Sequence, residues 1–254
     1  MKNLLLYIFT ITILSPLNVF SQNETEEQIN WPEEPLPMYQ VIEIFPKAEF
    51  ISEFVNEVNS HRNQFYKGED SNKAYLRKVI AGGQIHKFYW IKGPFSSKEY
   101  DEKEFEFAKT NHWNKNVIKY IKDYGDSNFY RHATPLSTQS SSRKVPKYAK
   151  IWRMSFKEGE NAMAKTFQLA NRIKKARESV GLSYHIFWPT ELKTKGWKMD
   201  IVETAERLED LYDSKVDLKA AFEKIYGEDS FSKHWEEWDQ LVVLESTELR
   251  VLIE

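Results

Sequence analysis

Two charged residues stand inside strongly apolar runs: Glu43 within Val41-Ile42-Glu43-Ile44-Phe45, and Arg153 within Ile151-Trp152-Arg153-Met154. If each run is a strand, successive side chains point to opposite faces, so each charge shares a face with apolar neighbours two positions away. A charge removed from water needs a counter-charge or a ligand. The pair therefore has three readings: a mutual ion pair, an anchor in which the forked guanidinium of Arg153 grips a carboxylate, or surface exposure of both groups. A second set, His86, Phe88 and Trp90, alternates onto one strand face, and His185 with Phe187 does the same further on. An imidazole with an unperturbed pKa of about 6.5 among aromatic rings can carry a proton. It can also ligate haem iron, or simply hydrogen-bond a backbone carbonyl at the edge of the core. Glu43, His86, Phe88, Trp90, Arg153, His185 and Phe187 are the candidate lining of a ligand pocket.

Other chemistry is excluded by what is missing. The chain has no cysteine, which removes disulfides, thiolate metal sites and thiol nucleophiles. Its 9 glycines form neither GxGxxG nor GxxxxGK, and GxSxG and HExxH are absent. The histidines at 61, 86, 112, 132, 185 and 234 are dispersed, without the spacing of a local metal site. No cofactor is expected, with haem the one exception kept open by His86 or His185. The formal net charge is -2 with both signs interspersed, so no basic stripe offers itself to nucleic acid. His61 falls on the apolar face of a helix and reads as a core residue. Trp235 and Trp238, flanking Glu236-Glu237, read as rings tucked inward from a short helix, with a sugar-stacking platform as the alternative.

The elements that must position these residues follow from periodicity. Met38 to Phe45 reads as a strand ended by Pro46. Ile51, Phe54, Val58, His61 and Phe65 recur at helical spacing over 47–66. Strands are expected over 74–80 and 85–91 around Gly82-Gly83. A helical stretch opened by a Ser96/Glu99 capping box should run to about 124, before a strand at 128–132. The order then restarts: a strand over 149–156, a helix over 161–180, strands over 183–188 and 197–202, a helix over 204–226, and a terminal hairpin over 241–253 turning at Ser246-Thr247.

The ends and joints read by composition. Lys2 followed by the apolar run to Phe20, with Val19-Phe20-Ser21 at the close, predicts a cleaved signal peptide over 1–21 and export to the periplasm or the medium. Residues 22–37 form an acidic, flexible leader, 38–136 a first α+β repeat, 137–147 a Ser-rich linker and 148–254 a second α+β repeat. After cleavage no membrane association is expected.

The fold class predicted is α+β: two ferredoxin-like βαββαβ repeats packed sheet to sheet. Placing Val41 to Lys47 against Ile151 to Lys157 sets Glu43 opposite Arg153. In this order of elements the chain resembles the dimeric α+β barrel superfamily in a fused, two-repeat form. That resemblance implies an intramolecular barrel, a monomer, and a pocket able to hold a small molecule. The superfamily spans cofactor-free monooxygenases, haem-handling enzymes and proteins without known activity, so fold alone does not choose a function. The leading expectation is an exported protein binding a small apolar or aromatic molecule. The alternatives are a monooxygenase-like or haem-handling enzyme, and an interaction module with a filled core.

Overall fold

A computed structural model describes residues 28–66, 73–103, 107–139, 144–159, 161–190 and 198–254. The expected signal peptide, most of the leader's acidic start and part of the linker lie outside the described residues. Eight strands form the frame: β1 (Met38–Pro46), β2 (Ala74–Ala81), β3 (Phe88–Phe95), β4 (Ile121–His132), β5 (Tyr148–Phe156), β6 (His185–Pro189), β7 (Lys198–Ala205) and β8 (Val242–Ile253). They close into an antiparallel barrel in the order β1-β3-β2-β8-β5-β7-β6-β4, with β4 returning to β1. Within the first half the order is β4-β1-β3-β2, and within the second β8-β5-β7-β6. The halves meet at two seams of unequal length. β2 and β8 share five register pairs from Leu76↔Ile253 to Ala81↔Leu249, whereas β4 and β6 share three, Tyr130↔Pro189, Arg131↔Trp188 and His132↔Phe187.

Helices lie on the outside. α1 (Ile51–Phe65) buries Phe54, Val58 and His61, the face its periodicity announced. They pack with Ile44, Leu76, Phe88 and Trp90 of the barrel wall. Fully burying a side chain such as Phe54 contributes about 1.5–3 kcal/mol. After β3 the Ser96 box forms: Ser96 N–H donates to Glu99 Oε2 at 2.8 Å and Glu99 N–H to Ser96 Oγ at 3.2 Å, opening α2 (Ser97–Lys103). α3 (Phe107–His112) runs on through a π-turn at Trp113–Val117 and a 3-10 turn at Ile118–Tyr120. The second half is covered by α4 (Ala162–Ser179), α5 (Glu209–Tyr212), α6 (Leu218–Tyr226) and α7 (Ser230–Leu241). Its outer core gathers Leu169, Ala170, Ile173, Ile186, Met199, Ile201, Phe222 and Trp238.

Several expectations are corrected. β4 begins at Ile121, so the helical stretch does not reach 124. The expected helix over 204–226 is two helices, because β7 runs to Ala205 and Asp217 caps α6 through Ala220 N–H at 2.9 Å. The terminal hairpin is one strand. β8 pairs with β5 from Phe156↔Val242 to Tyr148↔Val251, and Ser246-Thr247 sits mid-strand opposite Arg153 and Trp152. A register shift there mimics a turn in sequence. β3 begins at Phe88, so His86 lies in the β2–β3 turn, exposed, and lines nothing. Gly82, at φ +77°, makes that turn, where a Cβ would stand 2.2 Å from Thr247 O.

The stretch before β1 is in contact with the second half. Trp31 packs against Phe167 and Trp188 with ring centroids 5.9 Å from each, and Arg131 donates to Leu36 O at 2.8 Å. At the start of the joining segment, Ile186 N–H donates to Ser137 Oγ at 3.0 Å and Tyr184 N–H to Thr138 Oγ1 at 2.9 Å.

Candidate functional site inside the barrel

Strand alternation divides the side chains between the outer layer and the interior. On β1 Ile42 and Ile44 face the helices, while Tyr39, Val41 and Glu43 face inward. On β3 Phe88 and Trp90 face outward onto α1, and Tyr89 and Ile91 inward. Phe88 and Trp90 are therefore wall residues of the outer core, not of the pocket: Phe54 sits edge-on to Phe88 at 5.4 Å. Both faces of β3 are apolar, so alternation groups its side chains but does not say which group looks inward.

The interior holds a cavity of about 330 Å³. Its walls are largely apolar, with Val41, Ile91, Ala149, Ile151 and Val202. One end is closed by a charge network. Tyr89 donates from its hydroxyl to Glu248 Oε2 at 3.0 Å and Glu43 Oε1 at 3.0 Å as alternatives, and accepts from Arg153 Nη2 at 3.3 Å. Lys87 Nζ lies 2.8 Å from Glu248 and 3.5 Å from Glu43. Arg250 chelates Glu248 through Nε at 3.0 Å and Nη2 at 2.6 Å, and stacks its guanidinium 3.5 Å from the centre of the Tyr89 ring. Glu43 and Arg153 meet at 3.9 Å inside this network, and Arg153 Nε lies 3.7 Å from Asp200. Gly125 makes room for it, since a Cβ there would stand 2.7 Å from Glu43 Oε2. Burial raises the Glu248 carboxyl, but Arg250 and Lys87 override it and hold the group at about 2. Burial dominates at Asp200 and raises it despite the pull of Arg153.

Further along β1 the lining changes character. His132 stacks on Phe187 at 4.6 Å and 17°, with His185 5.5 Å away and Tyr39 edge-on at 6.2 Å. Buried His132 Nε2 and His185 Nδ1 have no hydrogen-bond partner. Desolvation lowers His132 to about 3, helped by His185, and His185 to about 4. Both are neutral at physiological pH, and both residues line the cavity.

Of the candidates, the structure brings Glu43, Arg153, His185 and Phe187 together and leaves out His86, Phe88 and Trp90. It adds Tyr89, Lys87, Asp200, Glu248, Arg250 and His132, which sequence reasoning missed. Tyr89 was hidden inside an aromatic run, and Glu248 and Arg250 inside the supposed hairpin. The register Glu43↔Tyr89 and Arg153↔Asp200 is the signal that would have found two of them, once β1 and β5 were aligned.

No family model matches the chain and no curated protein matches it in sequence. Solved structures do share its fold. A Fusobacterium nucleatum protein provisionally described as a monooxygenase superposes with TM-score 0.55 at 10% identity, covering 87% of this chain and 94% of that one. What the two share is the fold, a closed antiparallel barrel flanked by helices. A Lactobacillus acidophilus protein provisionally described in the same words gives TM-score 0.52 at 11% identity over 86% and 93%. A haem-binding protein of Thermus thermophilus gives 0.50 at 13% over 90% and 96%.

The cavity lies at the bottom of the range of about 300–1,000 Å³ usual for small-molecule sites, and the imidazoles in its lining are those of His132 and His185. His234 in α7 is buried without a hydrogen-bond partner, but Phe222, Trp235 and Trp238 wall it at 4.9, 5.0 and 6.2 Å. Among the described residues no three His, Asp or Glu side chains gather to hold a metal ion, and no helix is long and apolar enough to cross a membrane.

Proposed function

We propose that the protein binds a small, largely apolar molecule inside its barrel. The observation that carries this is an open cavity of about 330 Å³ whose lining includes two neutral histidines, each with a buried ring nitrogen that has no internal partner. Buried polar atoms are rarely left so unless a ligand or water completes them. An open interior weighs against an interaction module with a filled core. The test is native mass spectrometry of protein purified from its own host, alongside an Ile151→Trp variant that fills the cavity. A co-purifying mass present in the first and lost in the second is expected; identical masses would remove this reading.

A second reading is cofactor-free oxygenation of the bound molecule. It is supported by the two fold neighbours provisionally described as monooxygenases. Against it, imidazoles held at about 3 and 4 are weak bases for proton abstraction at neutral pH. Dioxygen uptake on adding the co-purified molecule would favour it over simple binding.

The identical strand order of the two halves supports their origin as two copies of one βαββαβ unit. Closure of the ring within one chain supports a monomer, to be checked by sedimentation. Export rests on the first 21 residues, and an N-terminus at Gln22 in the secreted fraction is the expected result.

A further inference from the structure

Arg77 on β2 lines the cavity at 4% exposure. Its Nη2 donates to Pro146 O at 2.7 Å and its Nη1 to Lys147 O at 3.2 Å, tying the segment before β5 to the barrel. Carbonyl dipoles solvate a guanidinium without neutralising it. Among the described residues no carboxylate lies within ion-pair distance of Arg77, on which Glu206 acts only from further off, whereas Lys87, Arg153 and Arg250 each have one. Lys87 and Arg250 share Glu248 at 2.8 and 2.6 Å, and Arg153 has Asp200 at 3.7 Å.

The cavity lining carries the cations Lys73, Arg77, Lys144, Arg153 and Arg250 against the carboxylate Asp200, with Glu43, Lys87 and Glu248 in the adjoining network. Burial lowers Arg77 to about 10, countered by Tyr75 and Glu206 and reinforced by Arg250, which leaves it charged at neutral pH. An unneutralised charge in such a setting is costly unless something of opposite sign joins it.

We propose that the molecule taken up in the barrel is an organic anion, an aromatic or branched carboxylate, with its acid group at Arg77 and its apolar body along Val41, Ile91, Ile151 and Val202. This deepens the ligand-binding reading and rests on it. The aliphatic wall sets the character of the rest of the molecule.

The test compares 2-naphthoate with 2-naphthamide, near-identical in shape and different in charge, by titration calorimetry on the full mature chain. The acid should bind roughly 10- to 100-fold tighter than the amide, the discrimination typical of a charge-assisted hydrogen bond. That gap should shrink to a few-fold in Arg77→Gln and persist in Arg77→Lys. Equal affinities for the two probes in the unaltered protein overturn the anion assignment while leaving the cavity reading intact. Absence of binding by either probe overturns both, as does binding that survives Ile151→Trp. Should Arg77→Gln fail to fold, the two affinities of the unaltered protein and the Arg77→Lys variant still decide the matter.

Discussion

The two ends of the barrel interior solve the problem of buried polarity in opposite ways. At the Tyr89 end Glu43, Lys87, Glu248 and Arg250 find partners within the chain, and the network closes on itself. At the His132 end, ring packing is close but two nitrogens are left without partners. A satisfied network has little to offer a ligand and much to lose when cut. An unsatisfied one contributes little to folding and has bonding capacity in hand. On the proposed binding function, the difference gives structure to one end and recognition to the other.

The most damaging way to probe the contrast is Glu248→Ala, which strands Lys87 and Arg250. Removing one partner of a buried ion pair costs about 3–5 kcal/mol, measurable by urea unfolding. A loss under 1 kcal/mol would mean that the network is not structural.

Acid separates the ends next. Below 6.5 the unfolded chain binds protons that His132 and His185 refuse while folded, so stability falls as pH drops from 6.5 towards about 4 and 3. The slope is about 1.4 kcal/mol per pH unit for each histidine. Glu248, held at about 2 against 4.5 in the unfolded chain, contributes fully above 4.5 and loses its contribution from there down to 2. Denaturation followed against pH should show the histidine phase first; His61 and His234, each lowered to about 4 by burial, share it, so His132→Phe with His185→Phe should reduce it by about half.

Tyr89→Phe keeps the ring under Arg250 but deletes the hydroxyl shared by Glu43, Glu248 and Arg153, at a cost of about 1–3 kcal/mol. The smallest effect on stability belongs to His132→Phe near neutral pH, within about 1 kcal/mol, because an unpartnered polar atom is replaced by an apolar one of similar shape. Binding of the co-purified molecule should nevertheless weaken in that variant. A large stability loss there, with binding untouched, would reverse the assignment of the two ends.

The sequence made the outer architecture readable because each covering helix has one apolar face. The α1 residues Phe54 and Val58 announce their burial by spacing alone, and Ser96 with Glu99 marks a helix start by its own chemistry. The interior was harder. Val41-Ile42-Glu43-Ile44-Phe45 is apolar on both faces, so the charge alone pointed to Glu43, and Arg153 was found by the same rule. Phe88 and Trp90 share a face as expected, yet that face looks out at α1, because a closed ring covered by helices has two dry sides. Glu248 and Arg250 escaped because a β-bulge and a turn leave similar traces in sequence. His132 lay in the strand read as starting at 128, and nothing local marks it as a neighbour of His185, since the seam joining them spans the two halves.

That seam has a consequence for how the molecule breathes. A ring of hydrogen-bonded strands opens first where its stitching is shortest, and β4 meets β6 through three register pairs against five at the opposite join. His132 and Phe187 are one of the three. The weakest stave joint thus runs beside the unsatisfied end of the cavity, and the amide protons of Ala133 and Thr190, which donate across it to Ile186 O and Phe129 O, should exchange with solvent ahead of those that join β2 to β8. Entry of a guest and loosening of the cask would then be one and the same motion.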